Sequence, residues 1–435
     1  MSRFIGDSEP VNEHILAMQP ISIPGNKFWR LRRYRYFVGY ALLVASSLLI
    51  LSAFRQETQT DVALYSRVAA NLMHGVMPYR DQPLEYPPYA ILIFLMPQIL
   101  NGGGYVFTFM ALAFVVDWFV KLSLLVMSFR ESRSLSVFWP LLLYCLAMPF
   151  TCNILLQRYD IFPAGICLLT VWLFCTGRYF LSGLILAIGI GVKVYPIIFL
   201  APMFACSLRQ GKAGRFGGGV TIGLCPLIIA AYFLPWWRFA EFQARRGLQV
   251  ESLYASVLWL GKLLGLWNVK WEFIKAWFEV TGPLATAVLP YTRLVFALTV
   301  IFSVIFTSWA AGRYCFPNGA TRTELPIARL SKLLFVPLLA FVGFNQVLSP
   351  QYMIWLMPMA VLASLEQDIM PILICSIATV MTPIIYPSLF GDYGDGLSLF
   401  ETTILLIRDL ILIVLWVQLI REIIRAIRPD HQRKS

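Results

Sequence analysis

Long apolar runs separated by short polar segments fill this chain from Phe37 onward. They fall near 37–54, 104–128, 135–156, 161–177, 180–192, 195–208, 216–236, 290–312, 331–346, 351–366, 369–387 and 401–420. About 20 apolar residues let an α-helix cross roughly 30 Å of hydrocarbon, and only a helix satisfies its own backbone hydrogen bonds there. The pattern predicts an all-α polytopic membrane protein. A soluble enzyme is excluded because 59% of the 435 residues are hydrophobic and 13% are charged, against about 25% charged in soluble domains. Disordered, collagen-like and disulfide-scaffold chains are excluded too, since the 28 Gly and 26 Pro follow no repeat.

Charge placement sets the expected topology. The net charge is +12, and Lys and Arg collect in cytoplasmic loops of membrane proteins. Lys27, Arg30, Arg32, Arg33 and Arg35 precede the first run, too far from residue 1 and without a small-residue cleavage site for a signal peptide. Arg130, Arg133, Arg178, Arg209, Lys212, Arg215, Arg313, Arg322, Arg329 and the Arg421–Lys434 cluster then fall on the same side as the N-terminus. Asp61, Asp81, Glu85, Asp160, Glu241, Glu251, Asp392 and Asp395 fall on the other. The expectation is about 12 transmembrane helices with a cytoplasmic tail over 1–36, a membrane domain over 37–420 and a basic cytoplasmic tail over 421–435. Two long outer loops cover about 55–103 and 237–289. Tyr89–Leu100, at roughly 10–14 residues, is too short to cross and reads as a re-entrant or interfacial helix. Runs 180–192 and 195–208 read as broken or tilted helices lining a cavity. Nucleic-acid binding is not expected, because the basic stretch 27–35 leads directly into the first apolar run and reads as a topology signal. The eight Cys show no C-x-x-C and only three His exist (His14, His74, His431), so zinc or thiol chemistry is not expected.

Within the first outer loop, Val62, Tyr65, Ala69, Leu72 and Met73 stand at helical spacing with Ser66, Arg67 and Asn71 on the reverse face. That is the pattern of an amphipathic helix in the membrane interface, begun by Asp61 where a carboxylate is favoured. Asp61-x-x-x-Tyr65, Gly75-x-x-Pro78-Tyr79-x-Asp81 and Glu85-Tyr86-Pro87-Pro88 form the densest polar pattern. Further along stand Gln157-Arg158-Tyr159-Asp160, Lys193-Val194-Tyr195-Pro196, Arg246–Ser252 (which includes Glu251) and Ser349-Pro350-Gln351-Tyr352.

Taken in this order, from about 61 to 358, these segments resemble the glycosyltransferase C superfamily, in its bacterial polyprenol-phosphate-mannose-dependent branch. The resemblance implies a membrane-embedded inverting glycosyltransferase of the cell inner membrane, with its site facing the periplasm. Its donor would be a polyprenyl-phosphate sugar, mannose by resemblance, and its acceptor a lipid or glycan, with no cofactor and no metal. Asp61 takes the catalytic position; Tyr65, Asp81, Glu85, Tyr86, Arg158, Asp160, Lys193, Tyr195, Arg246, Glu251, Gln351 and Tyr352 fall at substrate-binding positions. The chemistry agrees: such transfer needs a base for the acceptor hydroxyl and cations for the leaving phosphate. Asp61 suits the first role, and Arg158, Lys193 and Arg246 suit the second.

Each residue also has a plainer reading. Asp61 would be a helix cap, Asp81 and Glu85 solvated turn residues, Lys193 a snorkelling side chain, and Arg158–Asp160 a pair across a loop end. Arg245 and Arg246 would bind lipid headgroups, and Asp117 and Lys121, four apart in one run, would neutralise each other. Asp392 and Asp395 would suit Ca²⁺. Two rival functions are a lipid-linked glycan flippase and a ligase using a lipid-diphosphate donor. A flippase needs polar residues along a whole pathway, whereas here they gather on one side; the ligase would need more His or paired Arg in the outer loops.

Overall fold

The computed structural model describes residues 25–55, 61–100, 102–131, 135–274, 277–316, 325–366, 368–385 and 396–428. Asp392 and Asp395 lie outside them. The chain is an all-α polytopic membrane protein. Among the described residues, six helices are long and apolar enough to cross a bilayer: Tyr34–Ala53, Tyr105–Glu131, Phe138–Gln157, Ala213–Phe233, Pro283–Tyr314 and Leu399–Ile427. Shorter apolar helices accompany them, among them Ala90–Leu100, Ile161–Cys175, Tyr179–Val192, Tyr352–Ala363 and Met370–Ile385.

Burial explains which helices lie inside. Tyr352–Ala363 is buried on every side and Ile327–Gly343 on nearly every side, as expected of helices that are apolar all round. The long outer helices leave Ile228, Tyr232, Leu298, Ile301, Ile305 and Trp309 exposed, an apolar face suited to lipid. Seven of the eight Cys are buried, and all eight are free thiols.

Several boundaries differ from the sequence expectation. The first helix starts at Gly25 rather than 37, because Lys and Arg are good helix formers and prolong it. For the same reason the last helix runs to Ile427, through Arg421 and Arg425. Ala90–Leu100 has 11 residues, about 16 Å at 1.5 Å per residue, well under a bilayer core.

The second long loop is not merely a loop. It holds a small antiparallel sheet of Leu248–Gln249 (β1), Lys270–Ile274 (β2) and Trp277–Thr281 (β3), ordered β1-β3-β2. Aromatic and β-branched residues crowd 271–281, the composition that favours a pleated surface. Leu248, Val250, Trp259, Val280, Leu397 and Leu405 form a second core beneath it. The Trp259 indole donates to the Leu397 carbonyl at 2.7 Å, fastening this loop to the segment that leads into the last long helix.

The first long loop is held as firmly. The Asp61–Met73 helix buries Val62, Tyr65, Val68 and Ala69, and Tyr65 stacks on Phe94 of Ala90–Leu100 at 4.3 Å. Tyr79 adopts the left-handed conformation (φ 66°), which costs a non-glycine residue about 1–2 kcal/mol. Its buried ring and its hydroxyl, which donates to the Tyr86 carbonyl at 2.6 Å, hold it there. Tyr89 donates its N–H to the Gly191 carbonyl at 2.9 Å and its hydroxyl to the Gly223 carbonyl at 2.8 Å. A Cβ on Gly191 would stand 2.2 Å from the Tyr89 ring, so glycine is required for this approach.

Candidate active site

Helix breaks bring the site together. Arg158 (φ −123°, ψ 147°) follows Cys152–Gln157, and Lys193 (φ −152°, ψ 139°) follows Tyr179–Val192; both are extended. Non-helical backbone at membrane depth is tolerated where protein surrounds it or a cavity borders it. The end of the first helix docks beside the first break: the Arg55 N–H donates to the Asn153 side chain at 2.9 Å, and the Gln157 amide to the Arg55 carbonyl at 3.3 Å. Asp61, six residues on, thereby reaches Arg158.

At the site, three ion pairs join segments far apart in the chain. Asp61 pairs with Arg158 and accepts from the Tyr65 hydroxyl at 3.4 Å. Lys193 pairs with Asp160 at 2.5 Å, and Arg246 with Glu85 at 3.1 Å. Asp160 is buried and also accepts from the Trp355 indole at 2.9 Å. Arg158 and Asp160, two apart in sequence, are thus bound to different partners. The Lys193 ammonium lies 4.5 Å from the Tyr159 ring centre and 4.9 Å from that of Trp355, where the ring faces attract a cation. Lys193 is therefore no simple snorkelling residue. Tyr195 and Tyr352 stack on either side of Trp355, at 4.2 and 4.0 Å. Tyr86 packs edge-on against Tyr65, Phe94 and Tyr159.

Arg246 is fixed through its own backbone. Its carbonyl accepts from Arg293 at 3.0 Å and from Gln346 at 3.2 Å. The following N–H, of Gly247, donates to Glu279 of β3 at 2.8 Å. A side chain at 247 would collide with that carboxylate, its Cβ 2.3 Å from Oε2. Glu251 is buried; its Oε2 accepts from the Gln249 amide at 3.1 Å. Its carbonyl accepts from Arg408 of the last long helix at 2.6 Å.

One predicted residue stands apart. Asp81 accepts from Arg80 at 2.9 Å and from the Met77 N–H at 2.8 Å in an exposed turn. Those bonds, Arg80 first, hold its carboxyl down to about 2. Gln351 is half-buried just before the Tyr352–Ala363 helix. The expected Asp117–Lys121 pair forms at 2.6 Å, fully buried, and Lys121 also donates to Ser47 at 2.9 Å.

Sequence reasoning missed Trp355, Arg293, Gln346, Glu279 and the adjacent pair Arg408–Asp409, bonded at 3.0 Å and fully buried. Only that pair left a visible signal, two ionisable residues in the middle of an apolar run. A second charged cluster lies at the far end of Ile327–Gly343, where Lys332 bridges Asp368 and Glu422, each at 3.0 Å, and Arg329 pairs with Glu366 at 2.9 Å.

The family model described as Glycosyltransferase family 87 matches residues 84–341, more than half of the chain. The match takes in Glu85, Tyr86, Arg158, Asp160, Lys193, Tyr195, Arg246 and Glu251, and begins after Asp61. No curated protein matches the chain.

Proposed function

The chain belongs to glycosyltransferase family 87, and from that premise we propose that it transfers mannose, with inversion, from polyprenyl-phosphate mannose to a lipid or glycan acceptor at the periplasmic face of the inner membrane. The observation that carries this reading is the convergence of Arg158, Lys193 and Arg246, each on its own carboxylate, with Asp61 among those carboxylates. Three cations in one place suit a phosphate leaving group. Asp61 sits at the head of a helix expected to lie in the interface, where a lipid-borne donor and an acceptor can both arrive.

In the proposed reaction, Asp61 takes the proton of the acceptor hydroxyl. The acceptor oxygen attacks the anomeric carbon from the face opposite the phosphate, the bond from that carbon to the phosphate oxygen breaks, and the electron pair leaves with polyprenyl phosphate. Arg158, Lys193 and Arg246 hold the charge of the departing phosphate. When phosphate takes up Arg158, the Asp61 carboxylate loses its ion pair and becomes a stronger base.

The test is a donor panel offered to the purified protein in lipid: mannose on a polyprenyl monophosphate, on a polyprenyl diphosphate and on a nucleotide. Transfer from the monophosphate alone is expected. Transfer from the diphosphate alone would move the chain to the ligase class.

A further inference from the structure

Resting on that reading, we propose that Glu251 acts as an uncharged acid that donates a hydrogen bond to the donor phosphate beside Arg158, and that Arg408 and Asp409 are positioning residues that hold it in this place and charge state.

The first support is the geometry of the carboxyl. Glu251 is 1% exposed. The Gln249 carbonyl oxygen accepts from the Ser349 hydroxyl at 3.2 Å, which turns the Gln249 amide nitrogen toward Glu251 Oε2. The other oxygen, Oε1, is buried without a hydrogen-bond partner among the described residues. Such an atom costs free energy until something arrives to meet it. Arg408, at 2.6 Å from the Glu251 carbonyl, fixes the backbone from 157 residues away.

Charge counting supplies the second support. The charged groups acting on Glu251 are Arg408 and Asp409 from the last long helix and Arg158 from the helix break, with Asp61 bound to Arg158. Two guanidiniums therefore face three carboxylates, of which Glu251 and Asp409 are buried and Asp61 is partly exposed. Asp61 is paired with Arg158 and Asp409 with Arg408, so the carboxyl with no cation of its own, and the one placed to keep a proton, is Glu251. Burial pushes it up to about 8, with Asp409 adding to the rise and Arg408 and Arg158 opposing it. An ionised Glu251 would repel a phosphate at Arg158; the neutral acid donates to it. Charged residues within a membrane span are costly to keep, and Arg408 and Asp409 are both fully buried. Their place behind Glu251 accounts for them.

Infrared titration of the full chain in lipid nanodiscs tests this without turnover. A protonated-carboxyl band should be present at neutral pH, vanish with a midpoint near 8, and be absent in Glu251→Gln. Asp409→Asn removes the opposing negative charge, so the midpoint should move to lower pH. Adding a short prenyl phosphate should shift the band in the wild type. In kinetics, wild-type transfer should fall as pH rises through the same midpoint. Glu251→Gln, which keeps a donor, should lack that fall and retain more transfer than Glu251→Ala. A band unchanged in Glu251→Gln, a midpoint unmoved in Asp409→Asn, or a band indifferent to prenyl phosphate overturns the proposal. Wild-type protein that transfers nothing from a polyprenyl-phosphate sugar refutes the functional reading instead, and the infrared midpoints still decide the state of Glu251.

Discussion

At the scale of single residues, the site rests on carboxylate–cation pairs whose worth differs between structure and function. Lys193 keeps two aromatic faces and one carboxylate. Charge-assisted bonds to a phosphate contribute about 1.5–3 kcal/mol, so Lys193→Ala should lower kcat/KM for the donor by roughly 10- to 150-fold, at 1.4 kcal/mol per factor of ten. Steady-state kinetics checks this, and unchanged kinetics in a folded variant would confine Lys193 to packing. The residues that carry charge were legible in the sequence because an ionisable side chain beside an apolar run is rarely idle. Their partners were not. Nothing in the spacing of Arg158 and Asp160 indicates that one reaches back to Asp61 and the other across to Lys193. Trp355 and Gln346 look like any aromatic or amide near a helix end until the fold places them.

Among elements, legibility follows periodicity. The Asp61–Met73 helix has a clean apolar face, and it begins at Asp61, as the spacing predicts. The break at Lys193 falls between the short apolar runs 180–192 and 195–208, and Pro196 accounts for it: proline has no N–H for the Val192 carbonyl four residues back, and its ring would clash there. The β2–β3 hairpin was not legible, because its strands are five residues each and their alternation is lost among loop aromatics. Gly191 joins two elements: its carbonyl receives Tyr89 two residues before the break that presents Lys193. Gly191→Ala should force the Tyr89 ring aside, destabilise the protein by about 1–3 kcal/mol as overpacking does, and reduce transfer more than Ala substitutions at lipid-facing positions such as Ile301. Melting temperature and turnover measured together check it; an unaffected variant would show that the first loop does not depend on this contact.

For the whole molecule, the candidate site and the Lys332 cluster occupy opposite ends of the Ile327–Gly343 helix, with Gln346 just beyond one end and Lys332 near the other. Arg209 lies against Gly312, and Arg329 donates to the Tyr314 carbonyl, so basic loop residues gather at the end away from the site. The positive-inside rule then predicts that the site faces the periplasm. Seven of the eight Cys are buried, so replacing the exposed Cys225 gives a quiet background for labelling. In intact cells, an impermeant thiol reagent should modify Phe273→Cys, on the exposed face of β2, and spare Gly214→Cys. The reverse pattern would invert the topology.

Asp61 as the base that activates the acceptor is tested most directly by one side-by-side assay. Wild type and Asp61→Asn are compared for mannose transfer from a synthetic polyprenyl-phosphate donor, alongside their melting temperatures. Asn keeps the size of Asp and begins a helix about as well, so stability should hold while the rate falls by about 10²–10⁴. An Asn variant that turns over at the wild-type rate would contradict the assignment and remove Asp61 from the chemistry.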